Sequence, residues 1–118
     1  MTSATADQFS GSFAAAFSSG KLDRVLSHYC PDAVLMDRDG TEHRGHDAIA
    51  RVYRSLLSLG LRMQVKSRFA VETGEIAMLR NDFEVFKGQD VQFKGSSIAV
   101  LRRDHEGAWR LLLDQPYA

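Results

Sequence analysis

Leu61-Arg-Met-Gln-Val-Lys-Ser-Arg-Phe-Ala-Val-Glu-Thr-Gly74 decides the fold. Apolar Leu61, Met63, Val65, Phe69 and Val71 alternate with Arg62, Gln64, Lys66, Arg68 and Glu72, and a period of two predicts a strand with one buried face. Thr73-Gly74 turns the chain into a second long strand, Glu75–Lys87. Gly88-Gln-Asp90 leads into a third, Val91–Arg103, and Asp104-His-Glu-Gly107 into a fourth, Ala108–Asp114. Long strands joined by short turns predict an antiparallel meander. Gly95-Ser-Ser97, inside a strand pattern, predicts a bulge that bends the sheet.

Upstream of Gly60 the period is helical. Phe9, Phe13, Ala16 and Phe17 form one apolar stripe, closed by Ser18-Ser-Gly20. Leu22, Val25, Leu26 and Tyr29 give a second, shorter helix that Pro31 ends by removing a backbone donor. Ala33–Asp37 reads as a short strand and Arg38-Asp-Gly40 as a turn. Ile49, Val52, Tyr53, Leu56 and Leu57 make a third helix. Helices followed by a meander predict one α+β domain over 1–118, a curved, mainly antiparallel sheet wrapped around three N-terminal helices as a cone.

Composition narrows the function. Of 118 residues, fifteen are Lys or Arg and fifteen Asp or Glu, so no basic excess points to nucleic acid or an anionic membrane surface. No apolar run approaches the roughly 18 residues of a membrane span, and Met1-Thr-Ser-Ala-Thr-Ala-Asp7 lacks the pattern of a signal peptide. Cys30 is the single cysteine, which leaves no intrachain disulfide. A cytoplasmic protein is the expectation. The glycines punctuate element ends without forming a phosphate-binding loop, so no nucleotide cofactor is expected. His43-Arg-Gly-His46 lies at a loop-to-helix junction without a third ligand, and no metal is expected. His28 falls on the polar side of the second helix.

Three stretches carry a family resemblance: Gly20-Lys-Leu-Asp-Arg-Val-Leu-Ser-His-Tyr29, Pro31-Asp-Ala-Val-Leu-Met-Asp37 and Arg44-Gly-His-Asp-Ala-Ile49. With the order of elements they resemble the nuclear-transport-factor-two-like superfamily, which has a cystatin-like fold. Val100-Leu-Arg-Arg-Asp-His-Glu-Gly-Ala-Trp109 and Leu113-Asp-Gln-Pro-Tyr117 are similar to its SnoaL-like, ketosteroid-isomerase-like branch, many of whose members have no assigned activity. The resemblance implies an apolar pocket for a small hydrophobic ligand, of the size of a steroid, terpene or polyketide fragment. It also implies homodimers through the outer sheet face.

Asp37 ends the apolar run Ala33-Val-Leu-Met36, which places its carboxylate at the wall of an apolar cavity as a general base with a raised pKa. The resemblance puts the isomerase base at this residue. Asp also commonly opens a turn such as Asp37-Arg-Asp-Gly40. The donor positions that stabilise the enolate in such isomerases hold Phe13 and Ala99 here, and neither can donate.

Arg80 and Asp82 are two apart on the second meander strand and share a face, while Asp114 follows the apolar run Leu111-Leu-Leu113. The set Arg80, Asp82 and Asp114 is similar to the limonene-epoxide-hydrolase pattern, in which two carboxyl groups bridged by an arginine activate water and protonate the epoxide. The water-holding positions of that pattern hold Leu35 and Asp37. The same strand also reads the other way, with Ala77, Leu79, Phe83 and Val85 inside and Arg80, Asp82 and Glu84 in solvent.

The resulting expectation is a cofactor-free pocket protein that uses carboxylate acid–base chemistry. The alternatives are a non-catalytic binding or dimerisation module and an epoxide hydrolase. The missing donors and a chain that stops after the last strand, leaving no lid, motivate the non-catalytic alternative.

Overall fold

Residues 5–118 are described in a computed structural model of the chain. A short 3-10 turn, Ala6–Gln8, leads into α1 (Phe9–Ser18) and α2 (Leu22–Leu26). Strand β1 (Tyr29–Met36) and strand β2 (Glu42–Arg44) precede α3 (Gly45–Leu57). The meander follows as β3 (Arg62–Thr73), β4 (Ile76–Lys87), β5 (Asp90–Arg103) and β6 (Trp109–Gln115). All six strands form one open sheet in the order β2-β1-β6-β5-β4-β3. Every pairing is antiparallel except β1 with β6, so the first strand returns to lie beside the last.

The meander appears where alternation and turn residues place it. Gly74 and Gly88 open the two-residue connections at φ 57° and 62°, a region that favours glycine. The first strand differs from its expected bounds. It begins at Tyr29, not Ala33, and runs through Pro31, because the β1–β6 register slips between Tyr29 and Val34 and the missing proline N–H falls in that gap. Strand β2 is three residues long and mostly charged, too short to show a period.

One face of the sheet packs on the helices. Phe9, Phe17, Ile49 and Leu57 meet Leu79, Leu101 and Trp109 in a single buried core. At roughly 1.5–3 kcal/mol for each fully buried large apolar side chain, this contact is what holds the helices to the sheet.

Bulges bend the sheet, though not at Gly95. Register shifts occur between Ser67 and Phe69, between Val85 and Phe86, and between Val100 and Leu101. Gly95 stays in register opposite Phe83, and a Cβ there would lie 3.4 Å from the Phe83 ring. Its role is to let that ring lie close to the backbone. The β3 bulge also splits an apparently uniform apolar series. Met63 and Val65 face the helices, whereas Phe69 and Val71 face outward opposite Arg80 and Met78.

Candidate active site

The concave face of the sheet and helices α1 and α3 enclose a cavity of about 100 Å³. Its walls are mostly apolar, including Phe13, Phe17, Leu35, Leu56, Met63 and Phe83. Ligand pockets for drug-sized molecules run to about 300–1,000 Å³, so the room as it stands suits a molecule of single-ring size better than a steroid. Pro116 and Tyr117 line the mouth, with the Arg38 guanidinium 4.6 Å from the Tyr117 ring centre. These two residues, which follow β6, therefore form part of the cavity wall.

Asp114 lines this cavity and is 9% exposed. It sits on the inner face of β6, between Leu35 of β1 and Ala99 of β5, both buried. Tyr29 Oη donates to Asp114 Oδ2 at 2.6 Å, and the Tyr29 and Tyr53 hydroxyls lie 2.8 Å apart. With Asp114 ionised, Tyr29 uses its one O–H to donate to the carboxylate, so Tyr53 must donate to Tyr29. Burial raises the Asp114 carboxyl from 3.8 to about 6, against the opposing effect of the Tyr29 hydrogen bond. Burial likewise pushes both phenols above their usual range, with the Asp114 charge as the next cause. Both tyrosines therefore remain donors at neutral pH. No second donor reaches the Asp114 carboxyl among the described residues, which leaves Oδ1 for a ligand.

The other expected site residues lie elsewhere. Asp37 is in the turn between β1 and β2, where Oδ1 accepts from the Arg38 N–H at 2.7 Å and Oδ2 lies 3.1 Å from His43 Nε2. It opens the turn and does not line the cavity. Arg80 and Asp82 are on the outer sheet face, opposite Phe69 and Lys66 of β3. Asp82 accepts from Ser96 at 2.7 Å and Arg68 at 3.0 Å, contacts that hold its carboxyl below the usual range, Ser96 most strongly. The cluster of Arg80, Asp82 and Asp114 does not form, because the inner face of β4 carries Ala77, Leu79, Asn81, Phe83 and Val85. The bridged pair of carboxyl groups that epoxide opening would use is thus not assembled. Asp114 alone of the four reaches the cavity.

Several residues emerge only from the structure. In the sequence Tyr29 and Tyr53 belong to apolar helical stripes. Asn81 interrupts the inner-face series Ala77, Leu79, Phe83, Val85, which marks it as a polar residue on a buried face. Ser10, on α1, donates to Asn81 Oδ1 at 3.0 Å. His28 is buried, not polar-facing. Its Nδ1–H donates to the Arg24 carbonyl at 2.8 Å, so Nε2 accepts from Ser12 at 2.9 Å, and burial lowers its pKa below 6.5. Among the described residues no three His, Cys, Asp or Glu side chains converge as a metal site, and no helix is long and apolar enough to cross a membrane.

Comparison with known proteins agrees with this architecture. The model of the SnoaL-like domain family matches residues 11–111. No curated protein matches the sequence. Among solved structures, a ketosteroid isomerase-like protein from Erwinia carotovora atroseptica is similar with 21% identity and a TM-score of 0.77, over 95% of this chain and 92% of that one. An NTF2-like protein with a cystatin-like fold from Novosphingobium aromaticivorans has 17% identity and a TM-score of 0.73, over 87% and 72%. A proposed dehydratase of the NTF2-like family from Streptomyces avermitilis has 16% identity and a TM-score of 0.69, over 90% and 87%. At such identities the likeness is one of fold.

Proposed function

The chain belongs to the SnoaL-like domain family, and from that premise we propose that it is a cofactor-free acid–base enzyme acting on a small, mainly apolar molecule bound in the concave cavity. One observation carries this reading: a nearly buried carboxyl, Asp114, stands at the wall of an apolar cavity with a pKa of about 6. A general base works best when its pKa lies near the operating pH. In an apolar hollow a carboxylate is costly to keep unless it has a task, and perturbed groups concentrate at working sites.

In the reaction, Asp114 Oδ1 takes a proton from a carbon activated by a carbonyl, directly or through a conjugated double bond, and the C–H electron pair moves into the enolate or dienolate. The carboxylic acid then returns a proton to carbon. Tyr29 holds the carboxylate in place through Oδ2, and Tyr53 holds Tyr29. The apolar walls keep water away from the enolate. A test substrate of suitable size is cyclohex-2-enone. Its exchangeable C–H protons, followed by NMR in D₂O, are expected to exchange faster with the protein than in buffer. Exchange no faster than buffer between about pH 5 and pH 8 would remove the catalytic reading.

The outer sheet face supports a symmetric dimer. Val34, Leu113, Val100, Met78 and Val71 are successive cross-strand partners, forming one apolar row over β1, β6, β5, β4 and β3. Val71, Leu113 and Met78 are 58%, 49% and 42% exposed. Such a continuous apolar strip suits a self-complementary contact between two copies. Sedimentation is expected to give a dimer at micromolar concentration and a monomer for the double variant Met78→Lys, Leu113→Lys. A monomeric parent protein would rule the dimer out.

A further inference from the structure

We propose that Asn81, seated by Ser10 and flanked by Ser97, is the hydrogen-bond donor that grips the ligand's oxygen, so that the cavity selects small carbonyl compounds over hydrocarbons of the same shape. This rests on the reading of the cavity as a ligand site and adds the group that fixes the ligand's orientation.

Two side chains with a polar end are nine-tenths buried on the sheet wall of the cavity, Asp114 and Asn81. Asn81 lies between Leu79 and Phe83 on the inner face of β4, and all three line the cavity. Its carbonyl end is occupied, because Oδ1 accepts from Ser10, itself buried on α1. That bond turns the Nδ2 amide, with two N–H donors, to the remaining side, where no acceptor is found among the described residues. Among the described residues the buried side-chain polar atoms left without a partner are Arg103 Nε and Trp109 Nε1, so the Asn81 amide is not sealed in but open to the cavity, where a ligand oxygen can reach it.

Two other donors that line the cavity are committed, Tyr53 and Ser10, while the Ser97 and Tyr117 hydroxyls also line it. Tyr53 donates to Tyr29, Tyr29 donates to Asp114, and Ser10 donates to Asn81. Phe13 and Ala99 stand at the donor positions that the family resemblance implies, and they offer nothing. Ser97 is the cross-strand partner of Asn81 and also lines the cavity, so the two side chains share one stretch of its wall.

The location is also consistent with the chemistry. Ala99 pairs with Asp114, and Ser97 is two residues from Ala99 on the same face of β5. Two residues along a strand are roughly 7 Å, and one strand spacing is about 4.8 Å. An oxygen held by Asn81 and Ser97 therefore leaves the far side of a single ring facing Asp114, where in a conjugated ketone the C–H is activated by the carbonyl through the ring double bond. As the proton leaves carbon, charge grows on the oxygen beside the Asn81 amide, where a fixed donor stabilises it.

The test uses the intact protein with two probes, cyclohex-2-enone and its isostere 3-methylidenecyclohexene, in which =CH₂ replaces the oxygen. The ketone is expected to bind about tenfold more tightly than the hydrocarbon, as one good hydrogen bond in a buried site allows. Its carbonyl infrared band is expected to shift to lower frequency on binding. Asn81→Leu is expected to abolish the shift and the preference while retaining hydrocarbon binding. A readout without substitution guards against a misfolded variant: the ¹⁵N-labelled Asn81 side-chain amide protons of the parent protein move downfield with ketone and not with hydrocarbon. Ketone bound with an unshifted carbonyl band, or with Asn81 resonances unmoved, overturns the assignment and leaves the role of Asp114 standing. A shifted band without proton exchange overturns the catalytic role instead, and failure of both probes to bind overturns both.

Discussion

Asp114→Asn is expected to slow proton exchange of bound cyclohex-2-enone by about 10²–10⁴-fold, the usual contribution of a positioned general base. Asparagine has nearly the shape of the carboxyl and still accepts from Tyr29, so the pocket keeps its form and loses only the site that takes the proton. In the parent protein the rate is expected to rise with pH and level off above about 6, since the carboxylate is the working form and burial holds its pKa there. Tyr29→Phe separates the cause of that midpoint from the cause of the rate. The Tyr29 hydrogen bond favours the charged carboxyl and partly offsets desolvation, so its removal is expected to move the midpoint upward. A midpoint near the ordinary Asp value of about 4 in the parent protein would contradict the effect of burial and remove the reason for choosing Asp114.

How far this could be foreseen depends on the physics that each residue reports. The meander was legible because alternation and Gly turns are local signals, and β4 and β5 have the expected length. The faces were not. Leu61, Met63, Val65, Phe69 and Val71 look like one buried set, yet the bulge after Ser67 turns Phe69 and Val71 to the outside. A bulge adds one residue to one strand and is set by pairing with β4, which the β3 sequence does not contain. On β4 both faces are rich in apolar residues, because one meets the helices and the other forms the outer apolar row. Alternation therefore could not say which side Arg80 and Asp82 take.

The site followed the same division. Asp114 was legible from its place after the apolar run Leu111-Leu-Leu113. Asp37 follows a similar run and has the opposite fate: β1 ends at Met36, and the carboxyl turns back to cap Arg38. The sequence shows an acid after an apolar strand in both cases, whereas only the pairing of Leu35 with Asp114 shows which one remains inside the sheet. The tyrosines were hidden for a different reason. Each serves the core with its ring and the site with its hydroxyl, so an apolar pattern accounts for Tyr29 and Tyr53 without revealing that they meet across 24 residues of chain.

The same carboxyl that makes the site reactive is expected to lower stability, and the stability gained by Asp114→Asn is expected to grow by about 2 kcal/mol from pH 4 to pH 8. The folded carboxyl titrates at about 6 and the unfolded one at about 3.8. Between these values the folded protein holds the proton more firmly, so stability falls as pH rises and stays lower above 6. A shift of about two units at 1.36 kcal/mol each, less the part already titrated in the unfolded chain at pH 4, gives the magnitude. His28 acts in the reverse direction: its pKa is lowered by burial, so its contribution is present above 6.5 and is lost as pH falls through the folded value. Asp104 also contributes to loss in acid, because the Ala108 N–H, then Arg110, hold its carboxyl at about 2. Both terms occur equally in parent and variant, so the difference between their urea unfolding free energies isolates Asp114, provided protein concentration is fixed. A difference that stays flat with pH would show that Asp114 is as well solvated folded as unfolded, and no dry carboxyl would remain to act as a base. A rising difference would show that folding alone gives no reason for a carboxyl at this position, where an amide of the same shape makes the protein more stable.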